Sequence, residues 1–246
     1  GVRDGGATLT FPQDSVRGEK CFMKRSHALI VVCLLLLLTA VAAATGWSLN
    51  QTPSFYRDAL VPATNRVQRQ QEAEHLEKNT LRLVEDICHA DQWSHEFTDV
   101  QINSWLAEEL PRQRSEWLPP GVYQPRVQFT SGTIHLAFRY IDDCWDTVFS
   151  VQLKPHIVAR NCLAVDFVGA HAGGIPLPMD NVVSELSRTL TDAGWLHVWT
   201  ERNGHRVILL ELDQVGLERP VLESLELQSG TLHVSGRRLS AGDVQL

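Results

Sequence analysis

Three kinds of hydrophobic pattern divide the chain. From Ala28 to Ala44, seventeen successive residues are apolar or small, interrupted only by Thr39. A globular helix of that length would carry a polar face, and this run has none. At ~1.5 Å per residue it approaches the roughly 30 Å hydrocarbon core of a bilayer. Lys24 and Arg25 precede it, and Trp47 follows where amphipathic aromatics gather at a membrane interface. Residues 23–46 are therefore predicted to be a signal anchor, a single transmembrane helix. Ala40-Val41-Ala42 and Ala42-Ala43-Ala44 also fit the small-x-small rule of a cleaved signal, which stays the alternative. Either way, the bulk of the chain is expected outside the cytoplasm, with Lys24 and Arg25 retained inside. Met23 followed by Lys-Arg has the form of a translation start. Residues 1–22 are expected to be a tail or an over-extended start, and 47–65 a juxtamembrane linker.

Beyond the linker the period becomes helical. Within Arg66–Ala90, Ala73, Leu76, Thr80, Leu83, Val84 and Ile87 recur at intervals of three or four. The spacing predicts an amphipathic helix with one narrow apolar stripe. A second helix is predicted over Phe97–Pro111. Thr98 and Gln101 form a capping-box pattern, Ile102, Trp105, Leu106 and Leu110 supply a buried face, and Pro111 is the expected stop. After the Pro-rich stretch "EWLPPGVYQP" the period falls to two. Ile134, Leu136, Phe138 and Tyr140 are expected on the covered face of a hairpin, with His135, Ala137 and Arg139 on the other. "DTVFSVQLKP" and "NCLAVDFVGA" read as further strands. A helix with a Val183, Leu186, Leu190 stripe follows, ending before Gly194. The last segments read as two hairpins, one turning at Asn203-Gly204.

The succession is helix, helix, strands, helix, strands, with no βαβ units. It predicts an α+β domain over 66–246, a strongly curved antiparallel sheet packed on helices. One internal echo stands out: "QFTSGTIHLAFR" at 128–139 and "ELQSGTLHVSGR" at 226–237 share their Ser-Gly-Thr turn 98 positions apart. An old duplication and two independent solutions to one turn both explain it.

Charge narrows the partners. From Trp47 onward 26 acidic residues face 17 basic ones, which disfavours nucleic acid, where affinity rests on neutralising phosphates. Cys88, Cys144 and Cys162 permit at most one intramolecular disulfide, and no CxxC occurs. Asp142, Asp143 and Asp146 have the spacing of a Mg²⁺-binding aspartate motif, but they link two strands, where Asp favours turns through its own backbone. Cys88, His89 and His95 match no standard zinc spacing. His135, His197 and His233 fall on the polar side of strands and read as solvated. There is no nucleophile elbow, P-loop or dinucleotide fingerprint. No catalytic, cofactor-binding or metal-ligating residue is assigned, and an enzyme is not expected.

Two short motifs carry a resemblance. Thr98, Ile102, Asn103, Trp105 and Leu106 match T-x-x-x-[IL]-N-x-[WYL]-L, and Gly174, Ile175, Pro176, Leu177 and Pro178 match G-x-[IL]-P-[LV]-P. In these the chain resembles the YpmS-like and LmeA-like single-pass exported proteins of bacteria, over roughly residues 70 to 190. That group is similar to tubular lipid-binding domains, in which a curved sheet wraps a helix and encloses an apolar groove. The resemblance implies handling of lipid or a lipid-linked envelope component, and brings no catalytic residues. Ile134, Leu136, Phe138, Leu163, Val165 and Phe167 would then face the groove, or else pack on the Val183–Leu190 helix. The alternatives are a scaffold protein that meets a partner through residues 66–90, and a hydrolase.

Overall fold

A computed structural model describes residues 39, 46–60, 66–113, 117–143, 145–212 and 220–238. The chain divides into two units, 1–46 and 47–246, and the fold described is that of the second. The anchor expected over 23–46 lies, but for Thr39 and Gly46, outside the described residues, as does Cys144. Among the described residues no helix is long and apolar enough to cross a membrane.

The elements run α1 (Ser54–Leu60), α2 (Arg66–His89), β1 (Gln92–Thr98), α3 (Asp99–Glu108), α4 (Leu110–Gln113), β2 (Val122–Thr130), β3 (Thr133–Asp142), β4 (Trp145–Ala159), β5 (Cys162–Ala172), β6 (Ile175–Pro176), α5 (Met179–Asp192), β7 (His197–Arg202), β8 (His205–Glu211), β9 (Pro220–Gln228) and β10 (Thr231–Arg238). Every strand pairing is antiparallel. A seven-stranded sheet has the order β2-β3-β4-β5-β8-β7 with β6 on β5, and a three-stranded sheet has the order β1-β10-β9. Helices pack on both, so the fold is α+β. Among the described residues β2 and β7 remain unpaired edges, and the large sheet is not a closed barrel.

Local chemistry accounts for the sharpest turns. Asn203 and Gly204 both adopt positive φ (53° and 77°), the two-residue geometry that matches the twist of a hairpin. Gly194, at φ 77°, ends α5 with the Trp195 N–H bonded to the Leu190 carbonyl. The Thr98 capping box forms as expected, its hydroxyl accepting from the Gln101 N–H while the Gln101 side chain accepts from the Thr98 N–H.

Four expectations are corrected. Phe97 is not helical: it ends β1, in which Trp93 and Phe97 are buried on the small sheet, and Thr98 is at once the last strand residue and the cap of α3. The helix ends at Glu108, three residues before Pro111. Pro111 occupies the second position of α4, where a missing N–H costs nothing. On α2, Thr80 and Val84 are exposed, and Ala73 is the residue of the stripe that is buried. Finally, the face carrying His135 and Ala137 is covered. Tyr56 of α1 packs on Ala137 and Val148, the Phe55 ring lies 5.3 Å from His135, and Leu136 on the opposite face is 36% exposed. The small side chain of Ala137 leaves the room that Tyr56 fills. His135 is thus packed rather than solvated, and burial lowers its pKa.

The small sheet and α3 close over the β2–β3 hairpin. Val127 and Phe129 share a cluster with Leu227, Ile102, Ile134, Leu225 and Leu232. The two Ser-Gly-Thr turns meet tip to tip: the Gly132 N–H donates to the Leu227 carbonyl, and the Gly230 N–H donates to the Phe129 carbonyl. These bonds exchange under the 98-residue offset of the echo. Asn103 completes the arrangement, donating from Nδ2 to the Val127 carbonyl (2.7 Å) and accepting the Val127 N–H at Oδ1 (2.9 Å). Its side chain serves as a one-residue strand on the free edge of β2. Asn103→Ala strands both groups of a buried residue. The expected loss is about 2 kcal/mol in a urea titration; a loss below about 0.5 kcal/mol would mean water replaces the amide.

Candidate binding cleft

At the start of β2 the backbone departs from the ladder. Gln124 has φ 49°, and Gln124 with Pro125 oppose the single residue Phe138, a bulge between Tyr123 and Arg126. A bulge bends the strand and re-aims the side chains beside it. Pro125 is tolerated there because β2 is an edge strand. Beside the bulge lies a cleft of about 600 Å³ whose lining includes the apolar Leu106, Pro111, Leu118, Val122 and Ile141 and the charged Arg126 and Arg139. A second depression of about 230 Å³ meets Arg126 from the side of Arg69, Asp99 and Ser104.

Around the larger cleft, big apolar side chains stand in solvent. Tyr123 and Ile141 line it and are 51% and 40% exposed; Trp117 neighbours the lining residue Leu118 and is 59% exposed. Trp117 is held by Trp105 of α3, the ring centroids 6.3 Å apart. Trp105 in turn donates from Nε1 to Glu77 of α2. Aromatic side chains placed this way present an apolar body and a polar tip to an interface.

The cations of the cleft are not alike. Arg139 is held bidentately by Asp146 (2.7 and 2.6 Å), which raises the arginine's pKa and lowers the carboxylate's. Arg69 is paired with Glu108 at 2.6 Å. Arg126 is 8% exposed and donates from Nη1 to the neighbouring Pro125 carbonyl, while its Nε is buried with no partner among the described residues. Desolvation lowers its pKa, and Arg69 adds to that by repulsion. Sequence reasoning did not single out Arg126. Its interest lies in burial and an absent partner, for which a sequence carries no signal.

The residues considered for metal chemistry are dispersed in other roles. Asp142 caps its own turn through the Asp143 N–H, and Asp146 is taken by Arg139. His95 is within 2.8 Å of Asp86, and His233 within 3.0 Å of Glu96. Among the described residues no three His, Cys, Asp or Glu side chains gather around one point, and Cys88 and Cys162 are free thiols. The six residues expected to face a groove share one face of the large sheet by register. Phe138 stacks on Phe149 at 5.6 Å, and Phe167 packs on Trp199, whose Nε1 bonds to Ser187 of α5. The motif residues of α3 are explained by structure: Thr98 caps, Ile102 fills the core, Asn103 pairs the β2 edge, Trp105 holds Trp117 and Leu106 lines the cleft. Compared with protein-family models, curated proteins and solved structures, the chain matches none of them.

Proposed function

We propose that the chain is a membrane-anchored extracytoplasmic binding protein whose ligand is a lipid or a lipid-linked envelope component. The observation that carries the reading is the 600 Å³ cleft at the β2 bulge, lined largely by apolar residues, of which Tyr123 and Ile141 are 51% and 40% exposed. Its volume is in the range of small-molecule sites, and an apolar lining with few polar groups suits an amphiphile. The apolar Ala28–Ala44 run, broken only by Thr39, supports tethering of this cleft to a bilayer. Curvature of the large sheet toward a ligand, as in the proteins the sequence resembles, belongs to the same proposal. Binding, rather than catalysis, suits the cleft: the charged groups in its described lining are arginines, one of them neutralised by Asp146.

The test uses the full chain in an exporting bacterial host fed a fatty acid that carries a photoactivatable diazirine. After illumination, cross-links are expected in the peptide 117–126 as well as in 28–44, the latter serving as the internal control. Cross-links confined to 28–44 would sink the cleft as a lipid site. A second reading rests on α2, where Leu81 and Val84 are 70% and 55% exposed while Leu83 and Ile87 face the chain's own small sheet. A protein partner along residues 66–90 would bury them. A cross-link from Leu81 to another polypeptide, with none from the cleft to lipid, would put this reading first.

A further inference from the structure

We infer that Arg126 is an oxyanion site: the ligand of the β2 cleft carries a phosphate or carboxylate that pairs with this guanidinium. A buried arginine normally has a carboxylate or several carbonyls around it, because an unpaired charge withdrawn from water costs several kcal/mol. Among the described residues Arg139 and Arg69 each have a carboxylate partner and Arg126 has none. Asp146 pairs with Arg139, and Glu108 pairs with Arg69 at 2.6 Å and with Arg66 at 3.5 Å. Asp99, which lines the smaller depression, accepts the Phe129 N–H at 3.4 Å instead. Among the described residues Arg126 keeps one bond to the Pro125 carbonyl, and its Nε is enclosed without a partner. The bulge and the left-handed Gln124 exist at the place that delivers this side chain to the cleft. A planar fork of N–H donors suits bidentate capture of an oxyanion. The apolar residues that share the cleft, Leu106, Pro111, Leu118, Val122 and Ile141 among them, make an amphiphile with an anionic head the ligand that uses both kinds of group.

For the apolar half this inference rests on the lipid reading above; the oxyanion half stands without it. The experiment titrates the full chain, in uncharged maltoside micelles, with dihexanoyl phosphatidylglycerol, uncharged dihexanoylglycerol and inorganic phosphate. Binding is read by tryptophan fluorescence and by the shift in Tm, for the wild type, Arg126→Gln and Arg126→Lys. The expected result is binding of the phosphatidylglycerol, weakened about tenfold or more by Arg126→Gln and less by Arg126→Lys. Dihexanoylglycerol should bind weakly and equally to all three. Without ligand, Arg126→Gln should melt at or above the wild-type temperature, since it removes an unpaired buried charge. If it melts well below, or fails to fold, Arg126 has a structural partner and the inference is overturned. Equal binding of the charged and uncharged lipids, unchanged in Arg126→Gln, would overturn the oxyanion site and leave the lipid reading standing. Inorganic phosphate binding as tightly as the lipid, and lost in Arg126→Gln, would keep the oxyanion site and remove the lipid. No binding of any probe to the wild type would overturn both.

Discussion

Gly236→Ala should cost about 3 kcal/mol of stability, among the largest effects of any single methyl group in this chain. Gly236 lies in β10, the central strand of the small sheet, beside the bulge at Ser235. A Cβ there would stand 2.2 Å from the Val221 carbonyl oxygen and 2.3 Å from the Trp93 ring. The first neighbour is backbone of β9 and cannot turn aside. The second is a buried ring whose movement would open the contact between β1 and β10. Relief therefore requires the two outer strands to shift together. Gly169→Ala is the control: its Cβ would meet only the His171 ring at 3.5 Å, an ordinary contact, and its effect should stay within about 0.5 kcal/mol. Chemical denaturation of both variants checks the pair. Similar midpoints for the two would show that β9 and Trp93 yield freely.

Tyr56→Ala should be as damaging, at about 3 to 4 kcal/mol. Tyr56 is 1% exposed, fills the space over Ala137 and Val148, and donates from its hydroxyl to the Gln124 carbonyl at 3.1 Å. Helix α1 has seven residues, too few to persist without tertiary contacts, so this ring decides whether the helix stays on the sheet. Tyr56→Phe keeps the ring and removes one bond, and should lose about 1 kcal/mol. Hydrogen exchange across Ser54–Leu60 gives a second readout, with protection lost in Tyr56→Ala and kept in Tyr56→Phe. Retained protection in Tyr56→Ala would mean that Phe55 on His135 suffices to dock the helix.

Elements governed by nearby residues were legible in the sequence. The Asn203-Gly204 hairpin, the Thr98 cap and the Gly194 terminus each depend on side chains within a few positions, and each formed as read. Features governed by distant partners were not. β1 escaped because Thr98 belongs to strand and helix at once, although Trp93, His95 and Phe97 alternate with polar residues. The covered side of β3 escaped because Ala137 is too small to signal burial until Tyr56 is brought against it. β2 was partly hidden in a Pro-rich stretch, where Pro125 marks a bulged edge rather than a linker. At the cleft, the apolar lining could be guessed from Leu106 and Val122. Arg126 could not, since its meaning comes from what its neighbours' carboxylates are already doing.

The tip-to-tip bonding of the two Ser-Gly-Thr turns has a consequence for how the chain reaches its fold. Neither hairpin can satisfy its own turn: Gly132 waits for Leu227, and Phe129 waits for Gly230. The β2–β3 hairpin, complete in sequence by residue 142, is left with an unfinished tip until some ninety further residues have been made. Joining the two requires closure of a loop of about a hundred residues, the kind of contact that raises contact order and slows folding. The slow step of folding should therefore be the meeting of these two turns rather than the formation of either, with late-forming protection at Gly132 and Gly230 as its mark.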